Sequence, residues 1–96
     1  MKFGFIIRGE FDYPADRSGI HQNTAQILGV ANLTQACQAA AQLCREGVDC
    51  IELCGAFGEE GAKAVIEATG GQVPVGYVTH LPQQDALYRQ VFGEES

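Results

Sequence analysis

Ninety-six residues, 46% of them apolar, with a formal net charge of −6, describe one small globular domain that buries only about 60–65% of its unfolded surface. Twelve acidic residues against six basic ones leave no basic face for nucleic acid and disfavour an anionic membrane surface. No apolar run approaches the ~20 residues that span a bilayer, and "MKFGFII" is interrupted by Arg8 and Glu10 too soon for a signal peptide, so the chain is predicted to be cytoplasmic.

In chain order, "KFGFIIR" at 2–8 reads as a strand. Residues 9–24 carry Gly, Pro, Asp and Ser without helical periodicity, predicting a long loop of the kind that is often functional. "QILGVA" is a second strand. Asn32 with Gln35 forms a capping-box-like pair, and Leu33, Ala36, Cys37, Ala40, Leu43 and Cys44 then recur at helical spacing until Gly47. "VDCIELC" is the third strand, Gly55 to Gly58 a turn, and a second helix runs from about Glu59 to Thr69, ended by Gly70 and Gly71. "VPVGYVTH" is the fourth strand. Pro82 opens a last helix over "QQDALYRQVF", and 93–96 form a frayed tail.

The order β-β-α-β-α-β-α predicts a single α/β domain over 1–96 with a four-stranded, mostly parallel sheet. The direction of the first strand stays open because no helix follows it. Alternation of side chains divides each strand in two. One face collects Phe3, Phe5, Ile7, Leu28, Val30, Ile51, Leu53, Val75 and Tyr77, and is expected to meet the helices. The other collects Gly4, Ile6, Arg8, Gly29, Ala31, Cys50, Glu52, Cys54, Gly76, Val78 and His80. Glu52 is thus expected to project into space left by three glycines. If strand order follows chain order, right-handed crossovers place every helix on one side, and the glycine face needs a second copy or the 9–24 loop to cover it. A carboxylate there would pair with Arg8 or His80, or keep its proton.

Two readings of Glu52 follow. One is a ligand-contacting group, since perturbed carboxylates in clefts accompany function; the other is a satisfied acid that fixes subunit geometry. His80, ending the fourth strand, is the other candidate for proton transfer. Ligands of parallel α/β folds collect at strand carboxyl ends, which adds Arg8, Asn32, Cys54, Gly55, Phe57, Gly58 and Thr79 as candidate binding residues. His21 in the long loop is a further candidate without a fixed neighbour.

Other chemistries find less support. Cys50 and Cys54 stand about 13 Å apart along a strand and Cys37 and Cys44 about 10 Å apart along a helix, too far for a disulfide. Neither the cysteines nor the histidines with Glu52 match a metal-ligand spacing, so no metal is expected, and nothing specifies a cofactor. Cys54 precedes a helix start that could activate a thiol, but a small buried residue is the plainer reading. "GAFG" lacks the Lys and the Ser or Thr of a phosphate loop, and Glu59 and Glu60 follow it.

"IELCGAFGEEGAKAV" and "GGQVPVGYVTH" resemble a family of small bacterial proteins of unknown function. The matching positions are Ile51, Glu52, Leu53, Cys54, Gly55, Phe57, Gly58 and Val73 to Gly76, and the likeness runs from the first strand to the last helix. It implies no activity. The sequence therefore leads to two expectations: a homo-oligomer with a small-molecule site at its strand carboxyl ends, using Glu52 or His80, or a structural assembly unit without catalysis. Neither nucleic acid nor membrane is expected as a partner.

Overall fold

The structure, a computed structural model, describes residues 1–93. Its elements are β1 (Phe3–Arg8), β2 (Arg17–Ile20), β3 (Ala25–Val30), α1 (Leu33–Arg45), β4 (Cys50–Leu53), α2 (Gly58–Ala68), β5 (Val75–Tyr77) and α3 (Asp85–Phe92). Short 3-10 turns at Gly55–Phe57 and Pro82–Gln84 precede α2 and α3. The expected tail at 93–96 lies, Gly93 apart, outside the described residues.

The sheet has five strands rather than four, ordered β2-β3-β1-β4-β5. β1 pairs parallel with β3 and β4, and β4 with β5; β2 runs antiparallel to β3. The extra strand lies in the segment expected to be a loop. "RSGI" has one apolar residue and a glycine, and all four residues are exposed, so no burial pattern marks it. Backbone pairing across a hairpin forms it instead, with His21, Gln22 and Asn23 all at positive φ in the turn. β1 also enters the middle of the sheet, so strand order does not follow chain order. From β3 across β1 to β4, and on to β5, the chain nonetheless advances in one direction, so right-handed crossovers leave α1 and α2 on the same face.

That face holds the core. Ala36, Ala39, Ala40 and Leu43 of α1 and Ala62 and Val65 of α2 pack with Ile6, Leu28, Val30, Ile51 and Leu53. The cap forms as its residue types require: Asn32 Oδ1 accepts from the Gln35 amide at 2.9 Å, and Gln35 Oε1 accepts from the Ala31 amide at 2.8 Å. Gly47, at φ 86°, ends α1 in the left-handed conformation that glycine adopts without penalty.

The expected division of faces fails in β1. Register pairs Gly4 with Ile51 and Ile6 with Leu28 and Leu53, so Gly4 and Ile6 meet the helices, while Phe3, Phe5 and Ile7 lie on the opposite face. "FGFII" is apolar at every position, so its parity cannot be read from alternation; central parallel strands are commonly apolar on both sides. Gly4 serves the core: a Cβ there would stand 2.6 Å from Leu43 Cδ1, so its absence lets Leu43 seat against β1. Gly29 and Gly76 keep their expected face.

The face away from α1 and α2 stays open. Phe5 is 42% exposed and Ile27 43%, although both lie inside the sheet. Of the 9–24 segment, Phe11 lays its ring over Gly29, and the Asp16 carbonyl accepts from the Gly29 amide at 2.9 Å along the sheet edge. No residue of α3 is fully buried, although Asp85 and Tyr88 are half-buried.

Candidate functional site

Glu52 stands in the middle of the open face. It is level with Phe5 on one neighbouring strand and Gly76 on the other. Its side chain leans over Gly76, where a Cβ would come within 2.8 Å of Oε2. The missing side chain at Gly76 therefore makes the room the carboxylate occupies, as alternation and the glycine pattern predict for this one glycine. Glu52 is half-buried and, among the described residues, makes no hydrogen bond or ion pair. Neither expected partner reaches it. Arg8 shares the parity of Ile6 and belongs to the helix side, and His80 is engaged elsewhere.

Cys50, two residues before Glu52, occupies the register position of Phe3. Burial raises its thiol pKa, and the Glu52 carboxylate and then Asp49 push it further. Cys37 and Cys44 are likewise raised, chiefly by burial. All four cysteines are free, and among the described residues no group of three or more His, Cys, Asp or Glu side chains is placed to hold a metal ion.

At the strand carboxyl ends the chain gathers a second group. The Arg8 amide donates to Cys54 Sγ at 3.3 Å, and the Cys54 amide donates to the Ile6 carbonyl at 3.1 Å. The Val78 carbonyl approaches Gly55 so closely that a Cβ would be 3.2 Å away. Gly58 takes φ 62° at the start of α2. Phe57, by contrast, is turned into the core at 6% exposure and packs against Gly61. Asn32 spends its side-chain oxygen on the α1 cap. Arg8 has no ion-pair partner among the described residues, which leaves its exposed guanidinium available.

β5 ends at Tyr77, three residues earlier than the sequence predicts, so Thr79 and His80 lie in the following segment. His80 Nε2 is 2.7 Å from Asp85 Oδ1. A carboxylate only accepts, so Nε2 carries the proton, and in the neutral ring Nδ1 is left as the acceptor. Tyr88 stacks on the imidazole with centroids 3.9 Å apart and planes within 8°, and Phe92 stacks on Tyr88. Asp85 and Tyr88 are site neighbours that sequence reading missed. Their spacing from His80 bridges a 3-10 turn and follows no helical period. His21 lies in the β2–β3 turn, away from this group in the chain, where its carbonyl accepts from Thr24 Oγ1.

Two groups thus result, one around Glu52 and one around Arg8, Cys54 and Gly55, with the His80–Asp85 pair following β5; Glu52 and His80 share no hydrogen bond or ion pair among the described residues. A model of a family of unknown function matches residues 1–93. The chain belongs to DUF6506. Comparison with curated proteins and with solved structures finds no match. Within this DUF6506 chain no described helix is long and apolar enough to cross a membrane.

Proposed function

We propose that this chain is a homo-oligomeric small-molecule binding module, in which a second copy closes over the open sheet face and the enclosed space holds a ligand contacted by Glu52. The observation that carries the reading is the unpartnered, half-buried Glu52 carboxylate on an uncovered apolar sheet face. In water it is solvated. Once covered, it would need a donor or a proton, and a ligand carrying a hydrogen-bond donor or a positive charge supplies that need. Cys54, Gly55 and Thr79, following the strand carboxyl ends, would border the site where α/β ligands collect, with the Arg8 guanidinium on the helix side of the same edge. His80, oriented by Asp85, is a group able to accept a proton there. Four free cysteines suit a reducing compartment such as the cytoplasm.

The exposed Phe3, Phe5 and Ile27 favour a second reading, in which the chain assembles through this face and Glu52 only fixes subunit geometry. Native mass spectrometry of wild type and Glu52→Gln separates them. The first reading expects an oligomer with a co-purified mass that Glu52→Gln loses while keeping its oligomeric mass. An oligomer that carries no added mass, and that dissociates in Glu52→Gln, supports the second reading and overturns the first.

A further inference from the structure

α3 is an eight-residue helix with no buried residue. Isolated helices shorter than about 12–15 residues are marginal in water, so a helix of this length needs a surface to pack on. It is attached to the body through the 3-10 turn at Pro82–Gln84, the His80–Asp85 bond at 2.7 Å and the stacking of Tyr88 on His80. Leu87 and Val91 lie one turn apart on the same side and are 54% and 75% exposed. The same chain therefore carries a bare apolar helix and a bare apolar sheet face. In the chain by itself Phe5, Ile27, Leu87 and Val91 all remain exposed.

We propose that α3 docks on the open sheet face of a second copy, laying Leu87 and Val91 against Phe5 and Ile27, with the exchange repeated about a twofold axis. This deepens the oligomer reading above and rests on it. A mostly parallel sheet is normally covered by helices on both faces, and here α1 and α2 serve only one. A partner's α3 supplies the missing layer in the same helix-on-sheet form. Exchange satisfies both unmet surfaces of each copy and closes at two subunits. Phe3, Phe5, Ile27, Leu87 and Val91 expose on the order of 400 Å² per copy, about half of the ~800 Å² each partner buries in a standard interface. Glu52, level with Phe5, would be enclosed beneath the incoming helix.

The test uses two variants with opposite defects: Leu87→Glu with Val91→Glu spoils the arm, and Ile27→Lys spoils the face. All the altered side chains are exposed, so circular dichroism should report an unchanged fold. Light scattering after size exclusion should find a wild-type dimer and each variant weakened roughly 30-fold or more in dimer dissociation constant. A dimer that persists in the arm variant overturns the docking proposal and leaves the oligomer reading standing. So does weakening confined to the face variant, which indicates sheet-to-sheet contact. A monomeric wild type overturns both.

Discussion

The carboxylate of Glu52 rests over Gly76 on the adjacent strand, filling the place a side chain would take; a Cβ there would lie 2.8 Å from Oε2 and 3.2 Å from Oε1. The contact is with the free end of a flexible side chain on an open face. Gly76→Ala should therefore cost the isolated subunit little, below about 1 kcal/mol, since Glu52 can swing outward. It should nonetheless displace the carboxylate. Thermal melts that stay near wild type, with loss of the ligand mass or of the oligomer, are the expected result. A large drop in melting temperature would mean that the Glu52–Gly76 packing is a core contact after all.

Gly4→Ala is the matching experiment on the other face. Here the added methyl would meet Leu43 Cδ1 at 2.6 Å, and Leu43 is fully buried between α1 and the sheet. Overpacking of this kind costs typically 1–3 kcal/mol, which for a domain of this size lowers the melting temperature by several degrees per kcal/mol. The two alanine variants should differ clearly in chemical denaturation. Equal midpoints would contradict the face assignment of β1.

That assignment marks the limit of what was legible. Helices α1 and α2 were readable because their apolar residues recur at one period and their ends carry Asn32, Gly47 and Gly70. Glu52 was readable as an acid on the helix-free face because its flanking Ile51 and Leu53 are strongly apolar. β1 was not, since "FGFII" offers no polar residue to fix parity, and only register against β3 and β4 decides it. β2 was invisible because its pairing is carried by backbone, and its side chains are all exposed. The His80–Asp85–Tyr88 group depends on how a 3-10 turn folds back, which no residue spacing encodes.

Arg17 and Glu46 join β2 to the end of α1. The guanidinium donates through Nη1 to Glu46 Oε2 at 3.0 Å and makes a second bond through Nη2 to Oε1, while Gln42 Nε2 donates to Oε2 at 2.8 Å. These bonds, that from Arg17 first, lower the Glu46 pKa below its ordinary 4.5. A carboxylate lowered by folding adds stability that is present above its unfolded pKa and lost as pH falls through the folded one. The pair is about 30% exposed, so its worth is held to about 1 kcal/mol by solvent screening. Glu46→Gln should melt a few degrees below wild type between pH 6 and 8, and the gap should close as pH falls below about 4.5. A gap that is independent of pH would assign the effect to packing.

The cysteines offer a test that follows the charge of Glu52 itself. Burial comes first among the causes raising the Cys50 thiol, and repulsion from the Glu52 carboxylate comes next. The thiolate is the reactive form, so Cys50 should label slowly near neutral pH and faster as pH climbs toward its raised pKa. Glu52→Gln removes the repulsion while keeping size and position, and should speed Cys50 labelling at a fixed pH near 8. Cys37 and Cys44, raised chiefly by burial, should not respond. Peptide-level mass spectrometry after a short alkylation pulse reads all of these rates in one sample. Labelling of Cys50 that is unchanged by Glu52→Gln would mean the carboxylate does not act on that thiol, and would remove electrostatic support for a charged Glu52 on this face. If the pulse is repeated across protein concentration, covering of the face by a second copy should also appear, as protection of Cys50 that grows with concentration while Cys37 and Cys44 stay constant.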